Sequence, residues 1–279
     1  MLQDNVSQTA LKVASMMLSL GTDPTWRDRL PPGLVDLTRE LLLAAEEPPY
    51  SPGVIALNER RLTYLISKQY ERLLPGVFTG IGERKIFIND RACRALANGV
   101  EQVLLIGAGF DTLCLRLAPQ YPSVRFLEVD HPATARAKAR GLDAIGKPSN
   151  LSQIMADLSQ QSLADVLAAT ADWDVRASSY IVAEGLLMYL TAEEVQTLFD
   201  GVAASVGPVS SFAFSYPLGV RRYALSNALL SMMGEPWLSQ TDKESLPAYI
   251  GDAWLVTESI EPMGRRAIEG FALATIAGH

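Results

Sequence analysis

The stretch VLLIGAGFDTLCLRL, Val103–Leu117, decides how the chain reads. Val103 to Ile106 form an apolar run that enters a glycine turn, Gly107-Ala108-Gly109. A short apolar run bounded by glycine reads as a buried strand. Gly107 and Gly109 let the backbone turn tightly and approach a ligand closely. The segment after the turn, TLCLRLAPQ, reads as a helix whose first N–H groups face the turn.

The pattern continues downstream. VRFLEVDHP is a second strand ended by Pro132, and ATARAKARGLDAIG is helical. LSQIMADL holds a third strand ending near Asp157, followed by a helix over QQSLADVLAAT. SSYIVAEG is a fourth strand and SSFAFSYP a fifth. Between them TAEEVQTLFDGVAASV starts at Thr191 with Glu194 three residues on, a capping box. Strands alternating with helices at this spacing predict an open, mostly parallel sheet with helices on both faces. WLVTESIEP and EGFALATIAG are expected to close it as an antiparallel hairpin, after a helical insert around RRYALSNALLSMMG.

Upstream the chain reads as helices. SQTALKVASMMLSLG stops at Gly21, and GLVDLTRELLLAAEE is closed by Pro48 and Pro49. VIALNERRLTYLISKQYERLLPG is expected as one helix and ERKIFINDRACRALANG as another. The predicted organisation is one domain: a helical cap over 1–99, a ligand-binding core over 100–216, and the insert with the last strands over 217–279.

Composition narrows the function. The chain has 279 residues, 48% of them hydrophobic and 20% charged, an ordinary globular balance. A net charge of −7 disfavours nonspecific binding to nucleic acid or anionic membrane. Two cysteines, Cys93 and Cys114, give neither a disulfide framework nor a metal-ligand spacing. YIVAEGLLMYL is too short to span a bilayer and carries Glu184 at its centre. MLQDNVSQTALKV has no cationic start. The expected setting is a reducing cytoplasm.

In open parallel sheets ligands sit at the carboxyl ends of the strands, with ribose held by an acid after the second strand. Glu128 and Asp130 stand there. A dinucleotide fingerprint would place a third glycine at position 112, where this chain has Thr112. The pattern therefore suits a cofactor with ribose and adenine but no pyrophosphate, such as S-adenosylmethionine.

LLIGAGFDTLCLRL, FLEVDHP, MADL and IVAEGLLMYLTAEEV, in this order, resemble the leucine carboxyl methyltransferase family, which includes bacterial O-methyltransferases of natural-product pathways. The resemblance covers Thr9 to Val195 and is strongest from Arg84 onward. It implies a Rossmann-like class I methyltransferase core under an N-terminal helical cap, with S-adenosyl-L-methionine as cofactor. By position it implies that Arg84 pairs with the cofactor carboxylate, with Lys12 as a second candidate, and that Gly107 lies beside the same group, in the turn it shares with Gly109. It places Asp130 on the ribose, Asp157 and Leu158 at the adenine edge, and Glu184 near the cofactor amine. Leu113 stands where bacterial relatives often carry an arginine, while Arg116 is kept.

Other readings accompany these. Arg84 could be a surface helix arginine, Asp157 a helix cap, Asp111 a residue that orients the turn, and Glu128 a neighbour rather than a ribose ligand. Tyr189, Tyr216, Arg222, Tyr223 and Met232 are candidate pocket residues, although Tyr189 equally suits core packing. His131 reads as a loop residue and His279 as a terminal one. With no well-placed histidine, a small-molecule carboxylate acceptor in secondary metabolism is expected, since it needs no general base. Two alternatives stay open: closure of a ring within the cofactor's own aminobutyrate chain, releasing methylthioadenosine, and a non-catalytic cofactor-binding regulator. No metal is expected.

Overall fold

A computed structural model describes residues 5–71, 78–219, 237–261 and 268–277. Six helices come first: α1 (Gln8–Leu20), α2 (Pro24–Arg27), α3 (Leu34–Ala45), α4 (Pro52–Asn58), α5 (Arg61–Tyr70) and α6 (Thr79–Ala97). Alternation then begins with β1 (Gln102–Ile106), α7 (Leu113–Leu117), β2 (Arg125–Asp130), α8 (Pro132–Ile145), β3 (Leu151–Met155) and α9 (Leu163–Ala168). It continues with β4 (Ser179–Ala183), α10 (Ala192–Ala203) and β5 (Ser211–Pro217). The described part closes with α11 (Leu246–Ile250), β6 (Trp254–Ile260) and β7 (Glu269–Ile276).

The strands form one sheet in the order β3-β2-β1-β4-β5-β7-β6. The first five are parallel, and β7 runs antiparallel to both β5 and β6. The expected class of fold and its closing hairpin are both present. Period-two alternation sorts the side chains. Val103 and Leu105 face a core shared with α1, α3, α6, α7 and α8, whereas Leu104 and Ile106 face one shared with α9, α10 and α11. With both faces covered, β1 and β4 are buried along their whole length.

Local chemistry explains most boundaries. Ser7 caps α1 by accepting from the Ala10 N–H at 3.1 Å, and Gly21 follows the helix. Thr191 and Glu194 form the capping box of α10. Glu46, at φ 52°, ends α3 in the left-handed region before the two prolines.

The long third helix expected from the sequence is two helices. Arg60 adopts extended backbone with ψ 132° and breaks the chain between α4 and α5. Two contacts hold the break: Arg39 of α3 pairs with Glu59, and Thr63 Oγ1 donates to the Leu57 carbonyl at 2.6 Å. The short α2, capped by Asp23, was not expected. After α7 the chain tightens into a 3₁₀ turn over Ala118–Gln120, and β3 ends at Met155, two residues before Asp157. No described helix is long and apolar enough to cross a membrane.

The C-terminal hairpin is fixed by an unusual fit. The Tyr216 ring of β5 lies across Gly270 of β7, and its hydroxyl shares a 2.8 Å hydrogen bond with Ser259 Oγ of β6. A Cβ on Gly270 would sit 2.1 Å from Tyr216 Cζ. Gly270→Ala is therefore expected to lower unfolding free energy by about 1–3 kcal/mol through overpacking. Urea denaturation with an unchanged midpoint would refute this account of the hairpin.

Candidate functional site

Four loops meet at the carboxyl edge of the parallel strands. Gly107 and Gly109, after β1, both have positive φ, 66° and 48°. A Cβ at Gly107 would meet Leu186 at 3.3 Å, and one at Gly109 would meet the Ala10 Cβ of α1 at 3.0 Å. The turn is thus packed from two sides. Asp111 closes it by accepting from the Leu113 N–H at 2.6 Å, the turn-orienting role read from the sequence.

Asp130 ends β2 and faces the same turn. One oxygen accepts from the Gly109 N–H and the other from the His131 N–H at 2.6 Å. Burial raises its carboxyl above the usual value, against the pull of these two bonds. His131 is the N-cap of α8, with its ring nitrogen accepting from the Ala133 N–H. Glu128 points elsewhere. It is buried beneath α8 and pairs with the equally buried Lys138 at 2.8 Å.

The centre of the site is a chain of alternating charges. Arg84 on α6 donates from Nε to Glu184 at 3.0 Å and from Nη1 to Glu269 at 2.6 Å. Glu184, just past β4, also receives Lys85 Nζ at 2.7 Å, and Lys85 pairs in turn with Asp111. The order is Glu269, Arg84, Glu184, Lys85, Asp111, with each partner 14% exposed or less at its side chain. Arg84 is not a surface residue. Tyr180 of β4 fixes α6 beneath it, donating from its hydroxyl to the Ile88 carbonyl at 3.0 Å.

Burial alone would push the Lys85 ammonium down, but Asp111 and Glu184 outweigh it and hold it above its usual value. Arg84 is likewise raised, with Glu269 and Glu184 overriding desolvation. Burial would raise the Asp111 carboxyl, yet Lys85 foremost, with Lys138 and Arg116, holds it well below the usual carboxylate range. All three stay ionised near neutrality. One atom is left over: Glu184 Oε2 is buried and makes no hydrogen bond among the described residues. Beside it Gly185 has φ 65°, and a Cβ there would lie 3.2 Å from Arg84 Nη2.

The remaining expected residues are placed as follows. Asp157 lies in the loop after β3, accepting from Ser159 N and Oγ at 3.0 and 2.7 Å, which lowers its carboxyl. Leu158 packs against the core of the α10 face. Lys12 on α1 is half-buried, with no side-chain ion pair among the described residues. Tyr189 is half-buried beyond Glu184, while Tyr216 is wholly buried in the hairpin fit. Arg222, Tyr223, Met232 and His279 lie outside the described residues. Sequence reasoning missed Lys85 and Glu269. A cavity of about 300 Å³ lined by Gly33, Leu37, Leu115 and Arg116 lies toward the far end of α7 from the glycine turn. No cluster with metal-ligand character occurs among the described residues.

A family model for leucine carboxyl methyltransferase matches residues 23–203, well over half of the chain. The chain belongs to that family. A candidate S-adenosyl-L-methionine-dependent methyltransferase of Frankia alni is 28% identical over 69% of this chain and 67% of its own length. A second, from Mycolicibacterium gilvum, is 32% identical over 50% of this chain. The alignment spans only about half of that relative, 46%. Among solved structures, a candidate methyltransferase from Thermobifida fusca superposes with a TM-score of 0.61 at 16% identity, covering 91% of this chain and 98% of its own. A DUF574 protein from Streptomyces avermitilis gives 0.61 at 15% identity, covering 86% and 96%. At these identities the likeness concerns the family's fold.

The ion chain makes Lys85 a stability determinant. Lys85→Met removes the nearest cation from the buried Asp111 and leaves Glu184 with one, so about 3–5 kcal/mol of stability should be lost near pH 6. The folded Asp111 carboxyl lies below its unfolded value. Its stabilising contribution is thus present above the unfolded value, near pH 4, and fades as pH falls through and below it. The gap between wild type and variant should narrow between pH 6 and pH 3. A gap that stays constant in denaturation curves over that range would exclude the Asp111 pairing as its source.

Proposed function

We propose that this chain is an S-adenosyl-L-methionine-dependent O-methyltransferase that acts on a small-molecule carboxylate in secondary metabolism. The observation that carries the proposal is the charge chain at the carboxyl edge, with its unpartnered Glu184 oxygen just past β4. The residues present fit the cofactor. Arg84 keeps Nη2 outside its two carboxylate bonds, packed close against Gly185, and a guanidinium nitrogen so placed suits a carboxylate. Lys12 supplies a second cation from α1. Glu184 Oε2 suits an ammonium. Gly107 and Gly109 bring backbone close to both, Asp130 serves the ribose, and Asp157 with Leu158 the adenine edge.

When bound, S-adenosylmethionine supplies an electrophilic methyl group on sulfur. The chain's part is alignment and exclusion of water. A hydroxyl acceptor would need a base, whereas an ionised carboxylate does not. Among the described residues His131 is committed to capping α8, and Asp111, Asp130 and Glu184 are each bound to cations or backbone N–H groups. That arrangement favours the carboxylate acceptor.

In this reading the chain is one cytoplasmic unit. Residues 1–99 cap the core, 100–216 bind the cofactor, and 217–279 complete the acceptor side. Leu11, Leu41 and Phe87 share one apolar cluster with Val103 and Tyr180, which supports treating the parts together.

Two measurements test the proposal. Calorimetry with S-adenosylhomocysteine should give saturable binding, weakened by about 1–3 kcal/mol in Asp130→Ala and in Arg84→Ala, the usual size for hydrogen bonds to charged groups. Folded variants with wild-type affinity would refute the assignments. Incubation with S-adenosylmethionine and small carboxylic acids should yield methyl esters and S-adenosylhomocysteine. Methylthioadenosine without any acceptor would replace methyl transfer by ring closure.

A further inference from the structure

Arg116 is buried on α7, and no carboxylate among the described residues forms an ion pair with it. Its Nε donates to Thr112 Oγ1 at 3.3 Å and its Nη1 to Asn89 Oδ1 at 2.8 Å, both neutral acceptors. The two carboxylates whose charge reaches it, Asp111 and Glu184, are bonded to Lys85 and Arg84 instead. Arg84, similarly buried, is gripped by two carboxylates and held above its usual value. Arg116 is pushed below its own, because burial outweighs Asp111, Cys93, Cys114 and Glu184. A buried guanidinium without a bonded anion is costly. Its Nη2 makes no hydrogen bond among the described residues, yet that nitrogen is not sealed from outside.

Arg116 also lines the cavity of about 300 Å³ between α3, α7 and α8, where it is the one charged residue of the described wall. A Cβ on Gly33 would lie 3.9 Å from its Cδ, so its stem passes along that wall. Leu37, Leu115, Ile145 and three prolines make the rest largely apolar. Gln120, the other polar side chain there, donates its amide to the Arg116 carbonyl at 2.7 Å. The first turn of α3 and the last turns of α7 and α8 border the cavity, so their dipoles oppose one another. Each contributes a fraction of a charge, whereas Arg116 carries a whole one.

We propose that this cavity is a second ligand site, distinct from the one at the glycine turn, and that it takes a small monocarboxylate with an apolar body. The carboxylate would accept from Arg116 Nη2 and give the guanidinium the anion that the fold withholds. The apolar body would cover Leu37, Leu115 and Ile145. A volume of about 300 Å³ is at the small end for ligand pockets, which suits a short aliphatic or single-ring acid. An inorganic anion would leave the apolar wall wet, and a neutral analogue would leave Arg116 as it is.

The test is calorimetric titration of the full chain with hexanoate, 1-hexanol and inorganic phosphate. Hexanoate should bind saturably and more tightly than either of the others. Arg116→Met should weaken hexanoate about tenfold and leave 1-hexanol unchanged, since it removes a bond to a charged group but keeps an apolar stem. Leu37→Trp, at a half-buried position that tolerates a larger side chain, should fill the cavity and abolish binding. S-adenosylhomocysteine should not compete. Absence of saturable hexanoate binding would overturn the proposal, as would equal affinity for hexanoate and 1-hexanol. Full hexanoate binding in folded Leu37→Trp, or competition by S-adenosylhomocysteine, would place the acid elsewhere and overturn it too. Should Arg116→Met fail to fold, Leu37→Trp still decides.

Discussion

Arg84 is the point on which the rest of the site turns. A guanidinium buried on an interior helix face is costly unless each bond it needs is supplied by protein. Here the supply comes from the end of β4 and the start of β7, so one side chain on α6 joins the two halves of the sheet at their carboxyl edge. Lys85 carries the pairing onward to Asp111 and so to the turn after β1. Removing any one member strands a neighbour, because each inner charge serves two partners. These segments, already brought near one another by the pairing of their strands, are tied together further by charge.

The glycine turn is shaped by crowding as well as by charge. Leu186 presses on Gly107 and Ala10 on Gly109, from loops far apart in sequence. Asp130 pins the same turn from β2 through the Gly109 N–H. These contacts explain why two glycines suffice where Thr112 stands in place of a third. Thr112 is buried and receives Arg116 Nε at 3.3 Å, so its hydroxyl is spent on anchoring α7.

Much of this was legible in the sequence, for a physical reason. Strand and helix periods, the capping box at Thr191 and the spacing from Gly107 to Asp130 are local properties, and they survive folding unchanged. Asp111 as a turn former was legible too, since its partner lies two residues away. Glu269 was not, because its partner is 185 residues distant. Lys85 in ERKIF resembles any helix surface lysine. Nothing nearby says that both it and Arg84 face inward, and only the arrival of Glu184 and Asp111 makes that tolerable. The single helix expected over Val54–Gly76 failed similarly, because the pull of Arg39 on Glu59 comes from outside the segment.

The position of α1 has a bearing on where this fold can be cut. The family match starts at residue 23, after α1 has ended. Yet Leu11 and Leu18 are buried in the main cluster, Ala10 rests on Gly109, and the Ser7 N–H donates to Thr134 Oγ1 at 3.0 Å. A fragment trimmed to the family boundary would bare the underside of the glycine turn to water and lose the helix that carries Lys12. The segment matched by the family model and the packed unit therefore do not coincide in this chain, and α1 belongs to the second although it lies outside the first.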